Sequence, residues 1–185
     1  NDKADRNDLD KLNAKFPNIF LLATEACEEW KNSPKKVHLG SWHLMNRYAN
    51  DIIKDLNHYS TGWTDWNLAL DLNGGPNWAG NMVDAPIIIN ATANEYYKQP
   101  TFYAMGHFSK FLTPGSVRIH LEMDSDETEQ YSIIKATVFQ RPDNGIVLIL
   151  LNQNKEKKSI LITDPKRGKF IFEMKSESMA SLLWY

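Results

Sequence analysis

The side chain best placed to do chemistry is Glu25. Four apolar residues, Phe20 to Ala23, run into Thr24-Glu25-Ala26-Cys27. A carboxylate at the end of a strand buried on both faces has two readings. One is a strand-end group in a surface salt bridge, the commoner role of an exposed carboxylate. The other is a group held out from a rigid scaffold to attack a substrate. Cys27 projects to the same side if the strand continues. It reads as a small buried hydrophobe, with oxidation as the alternative. Asp65 and Trp66 alternate, so Asp65 faces away from Trp66 and reads as structural. The five histidines lack a metal-ligand spacing such as His-x3-His, and no metal or cofactor is expected. Asn73-Gly74-Gly75 is not followed by the Lys-Ser/Thr of a phosphate loop and reads as a turn.

These residues need a frame. Residues 18–24 are a short continuous apolar run between Pro17 and Glu25, which suits a strand of a parallel sheet. Residues 28–40, with charges, Pro34 and Gly40, read as a loop. Ser41 is a candidate N-cap for a helix near 42–58. Its apolar face would hold Met45, Tyr48, Ala49, Ile52, Ile53 and Leu56. Residues 61–70 read as a second strand, parallel to the first over 61–67, so that strand, helix and strand form one βαβ unit. A turn-rich loop at 71–85, a short strand at 86–90 and a helix from Pro100 follow. After Gly115 the pattern changes to closely spaced strands at 118–123, 133–140, 146–151, 159–163, 170–174 and 180–184. Residues 141–146 form a hairpin turn on Asn144-Gly145. The fold class is therefore α/β plus β, with an α/β portion over 1–111 and an antiparallel β-sandwich portion over 112–185. A (β/α)8 barrel typically takes about 250 residues. The α/β portion is then either a small open sheet or the tail of a barrel.

Composition narrows the partners. The 185 residues are 42% hydrophobic, enough for a core, and the net charge of −2 with no basic stripe excludes a nucleic-acid reading. No apolar run approaches the ~20 residues of a membrane span. The polar opening, residues 1–18, lacks the apolar centre of a secretory signal. A single cysteine excludes an intrachain disulfide. Asn90-Ala91-Thr92 is an N-glycosylation tripeptide. Six tryptophans would suit either a sugar-binding cleft or an ordinary core.

Four motifs carry a resemblance: LLATEAC at 21–27, GWTDWNLAL at 62–70, GGPNWAGNMVDAPII at 74–88 and YKQPTFYAMGHFSKF at 97–111. Together they resemble the glucosylceramidases of glycoside hydrolase family 30. The likeness is collinear from Phe16 to the final LLWY and corresponds to the C-terminal third of such an enzyme. It implies strands seven and eight of a (β/α)8 barrel followed by part of a β-sandwich. It implies that Glu25 is the nucleophile at the C-terminal end of strand seven, and that Trp66 and Asn81 bind the substrate's glucose. Trp66 would stack on the sugar and Asn81 would bond to a hydroxyl. The alternatives are core packing for Trp66 and a turn role for Asn81. Trp63 is assigned to packing.

A retaining glycosidase needs a second carboxyl group about 5–5.5 Å from the first. In the family it follows an Asn at the end of strand four. The Asn94-Glu95 step here falls after strand eight, so the acid/base lies outside this sequence. The resemblance thus implies part of a retaining β-glucosidase acting on glucosylceramide, one that supplies the nucleophile alone and is inactive without the N-terminal barrel segment. It also implies a lysosomal or secreted protein, a lipid-membrane surface and an activator protein as partners, and no cofactor. The alternatives are a family 30 glycosidase on soluble β-glucosides or xylosides, and a non-catalytic glycan-binding β-sandwich.

Overall fold

The computed structural model describes residues 5–28, 34–124 and 134–185. They group into two compact units, Asn1–Met105 and Gly106–Tyr185.

The first unit opens with helix α1 (Asn7–Lys15), which buries none of its residues. Strand β1 (Leu21–Ala26), helix α2 (Trp42–Asn57) and strand β2 (Ser60–Asp65) follow. β1 and β2 are parallel, aligned at Leu21↔Ser60, Ala23↔Trp63 and Ala26↔Asp65 with register shifts between. A parallel pair needs a long crossover, and α2 lies within it. Ser41 caps α2 by accepting from the Leu44 N–H at 3.3 Å. The face spaced for burial is buried: Met45, Tyr48, Ala49, Ile52, Ile53 and Leu56. Asp55 is buried with them and held by Arg6 at 3.1 Å.

The boundaries of β1 and β2 differ from expectation. Asn18 and Ile19 belong to a turn, closed by Ile19 N–H to the Phe16 carbonyl at 3.1 Å, so β1 starts at Leu21 and includes Glu25. The expected strand over 61–70 breaks after Asp65. There the Trp66 N–H is taken by both the Ala26 carbonyl (2.7 Å) and the Asp65 carboxylate (2.8 Å). The chain then enters a second sheet of β3 (Ala69–Asp71), β4 (Ile87–Asn90) and β5 (Glu95–Lys98). β3 and β4 are parallel, β4 and β5 an antiparallel hairpin. β5 has no counterpart among the expected elements. Its core is Val37, Leu70, Val83, Ala85 and Ile88. Of the loop expected at 28–40, residues 29–33 lie outside the described residues.

Helix α3 (Pro100–Ser109) contains the division between the units and begins at the expected proline. The second unit is antiparallel. A four-stranded sheet runs β11-β8-β7-β6, from β6 (Val117–Arg118), β7 (Ile134–Gln140), β8 (Ile146–Asn152) and β11 (Ser178–Trp184). β9 (Lys158–Asp164) and β10 (Gly168–Met174) form a separate hairpin. Ala136, Val138, Ile146, Leu148 and Leu150 from the sheet meet Ile162 and Met174 from the hairpin in one core. This is the packing of a sandwich. Asn144 turns β7 into β8 at φ 64°. The strand expected over 118–123 shortens to Val117–Arg118, with one further bond from Ile119 to Val138 (3.1 Å). Beyond Ile119, Leu121 and Met123 are exposed and have no ladder partner among the described residues. Ile133, the expected start of the next strand, lies outside the described residues.

Candidate active site

The C-terminal ends of β1 and β2 are tied by the bond from Trp66 N–H to Ala26 C=O. Glu25 and Trp66 stand at those ends, both exposed. Asn81 comes from the loop after β3, which is fixed by its own polar side chains. Asp71 accepts from the N–H groups of Asn73 (2.8 Å) and Gly75 (3.0 Å). Asn77 accepts from Ala79 (2.8 Å) and Asn81 (3.2 Å). Gly74 sits at φ +83°, and a Cβ there would lie 2.4 Å from the Val83 carbonyl oxygen, so the loop can double back only through glycine. The structure brings Glu25, Trp66 and Asn81 to the wall of one cleft of about 320 Å³.

The same cleft holds residues that sequence reasoning passed over. Glu28 is buried and paired with Arg47 of α2 at 3.0 Å. Tyr48 and Asp51, also from α2, complete that wall. Trp63 does pack, edge-on to Tyr48 with ring centroids 5.1 Å apart. It also lines the cleft, and its Nε1–H donates to Asp51 at 2.9 Å. The helical spacing of Arg47 and Asp51 was visible, but nothing in the sequence says which strand that face of α2 meets.

Burial sets the electrostatics beneath the cleft. The Asp65 carboxylate turns toward α2 and accepts from the Tyr48 hydroxyl at 3.0 Å. Burial pushes it up to about 7, against the opposing hydrogen bonds from Tyr48 and the Trp66 N–H. Burial and the Asp65 charge push the Tyr48 phenol far above its usual range. Cys27 lines the cleft and packs at the edge of the Val37–Val83 cluster. Burial, then the Glu25 charge, raises its thiol, which favours the neutral and unreactive form. Among the described residues no group of three or more His, Cys, Asp or Glu side chains is arranged to hold a metal ion.

A carboxylate, an exposed indole and a primary amide around one cleft suit a ligand with hydroxyl edges and apolar faces, which describes a sugar ring. The scaffold is part of a TIM barrel joined to a β-sandwich, with the cleft at the strand ends where barrel enzymes keep their chemistry. Residues 1–112 match the glycosyl hydrolase family 30 TIM-barrel domain, and residues 115–182 match the family 30 β-sandwich domain. The chain belongs to glycosyl hydrolase family 30. It is 42% identical over 169 residues to the mouse lysosomal acid glucosylceramidase, covering 91% of this chain and 32% of that protein. It is 52% identical over 118 residues to putative glucosylceramidase 3 of Caenorhabditis elegans, covering 64% of this chain and 22% of that protein. Among solved structures, SrfJ from Salmonella typhimurium matches with a TM-score of 0.83 at 25% identity, over 97% of this chain and 38% of that one. An endo-β1,6-glucanase shares the fold, with a TM-score of 0.79 at 24% identity over 98% of this chain and 39% of the other. The chain thus spans 32% of the length of the mouse protein and 22% of that of the worm protein.

Proposed function

We propose that this chain is the nucleophile-bearing portion of a retaining β-glucosidase that cleaves the glucosyl bond of glucosylceramide. Residues 1–111 supply strands seven and eight of the barrel, and residues 112–185 supply part of the sandwich. The observation that carries the reading is the convergence of Glu25, Trp66 and Asn81 on one cleft at the ends of parallel strands. Glu25 attacks the anomeric carbon, and the aglycone oxygen leaves from the opposite face with a proton from a second carboxyl group. Trp66 supports the apolar face of the ring, and Asn81 bonds to a hydroxyl. Arg47 pairs with buried Glu28 at 3.0 Å and offsets its charge within the same cleft. The acid/base comes from strand four, in the N-terminal barrel segment. The substrate is a membrane lipid, so a membrane surface and an activator protein are the expected partners. The lysosomal name of the mouse relative supports a lysosomal location.

The test is to assay glucosylceramide hydrolysis by residues 1–185 alone and again with the upstream barrel segment supplied. Hydrolysis is expected only in the second case. There Glu25→Gln, which keeps the shape and removes the nucleophile, abolishes it. Turnover by the 185-residue chain alone would mean that the acid lies within this sequence and that the site is misassigned.

A further inference from the structure

The proposed chemistry leaves one motif unused. Asn90-Ala91-Thr92 is the only Asn-x-Ser/Thr tripeptide in the sequence. The structure puts it at the tip of the β4–β5 hairpin, where Asn90 pairs with Glu95. Ala91 to Asn94 make the turn and are all exposed. Asn94, at φ 54°, closes it through its N–H to the Ala91 carbonyl (3.3 Å). The Asn90 amide oxygen accepts from the Ala93 N–H at 3.2 Å. Its Nδ2 donates to the Tyr97 hydroxyl at 2.9 Å, and that hydroxyl donates to Glu95 at 2.8 Å.

We propose that Asn90 carries an N-linked glycan. The donor is an oligosaccharide joined through a diphosphate to a membrane lipid. A bond forms between Nδ2 and the anomeric carbon of the first sugar. The bond from that carbon to the diphosphate oxygen breaks, the lipid diphosphate leaves with the electron pair, and Nδ2 gives up one proton. The modified amide keeps its other hydrogen, and one N–H is all that the bond to Tyr97 requires. The hairpin therefore accepts the sugar without abandoning a buried donor or acceptor.

A second feature gives the glycan work to do. The three-stranded sheet ends at β5, whose outer edge is unpaired among the described residues. Beside it the cross-strand pair Ile89 and Tyr96 is 45% and 63% exposed. An open strand edge next to apolar surface is a template for pairing with another chain. A bulky hydrated group at the hairpin tip obstructs that approach.

The inference rests on the lysosomal or secreted reading, because the transfer takes place in the secretory pathway. The experiment expresses the full-length protein in animal cells in two forms, with its natural N-terminus and behind a strong secretory leader. Occupancy is read by peptide mass spectrometry as the Asn90-to-Asp conversion left when an amidase removes the glycan. Asn90 is expected to be occupied in both forms. Asn90→Gln and Thr92→Ala should each lose one glycan, keep kcat/KM, and aggregate sooner in dynamic light scattering. An unmodified Asn90 in the leader-driven form overturns the site. Occupancy only behind the leader overturns the location on which the inference rests. Loss of the glycan with unchanged aggregation overturns the edge-shielding role.

Discussion

The sheet β11-β8-β7-β6 and the parallel pair β1–β2 satisfy their backbones in opposite ways. β8 pairs over all seven residues with β7 on one side and β11 on the other, without a register shift. All seven of its residues are buried. The turn feeding it is local, closed by Arg141 N–H to the Gly145 carbonyl at 2.8 Å. β1 and β2 meet only after the chain has run through α2, their register slips twice, and among the described residues each strand has one unpaired edge. An antiparallel sheet can complete its ladder from neighbouring segments, whereas a parallel strand needs crossover connections on both sides. The lesson is a division of labour. The β-sandwich unit holds its own core, while the candidate chemistry sits on two strands of a larger barrel domain.

Four substitutions test that division. The largest effect belongs to Glu25→Gln in the completed enzyme. Loss of the proposed covalent nucleophile should lower kcat by roughly 10⁴-fold or more, read in steady-state hydrolysis of a β-glucoside, with the fold intact. Activity near wild type would remove the chemistry from the parallel pair.

Leu148→Ala comes next. Leu148 is buried in the core shared by the sheet and the β9–β10 hairpin. The change should cost about 3 kcal/mol, seen as faster amide hydrogen exchange in β7, β8 and β11. Unchanged protection there would show that β8 is not the stable centre of its unit.

Asp65→Asn probes the opposite unit through pH. The folded carboxyl is raised to about 7, above the unfolded value of about 3.9, so the native state holds its proton more tightly. The stabilisation is complete below the unfolded value, declines as pH rises toward 7, and changes no further above it. The size is ~2–4 kcal/mol by linkage. Denaturant midpoints measured across that window should fall with pH in the wild type and flatten in Asp65→Asn. Equal slopes would place the titrating group elsewhere.

Ser41→Ala should have the smallest effect. It removes the acceptor for the Leu44 N–H and should cost about 1 kcal/mol, measured by denaturant unfolding and localised by exchange at the first turn of α2.

The sequence by itself determined the features whose causes are local. Helical spacing from Met45 to Leu56 requires one buried face, Ser41 provides a cap where the helix starts, and Asn144-Gly145 accepts the turn conformation at its place in the chain. The family resemblance placed Glu25, Trp66 and Asn81 in one pattern spread over 57 positions. The tertiary structure decided what depends on distant partners. It ended β2 at Asp65, because Ala26 and the Asp65 carboxylate both claim the Trp66 N–H. Among the described residues it left 120–123 without a ladder, though their apolar alternation suits a strand. It brought Arg47, Tyr48 and Asp51 to the wall that also holds Glu28 and Trp63, and it desolvated Asp65 against α2. Periodicity and capping follow from the geometry of a few consecutive residues. Register and proton affinity depend on what packs alongside, and a carboxylate 17 residues from the tyrosine hydroxyl it accepts carries no sign of that.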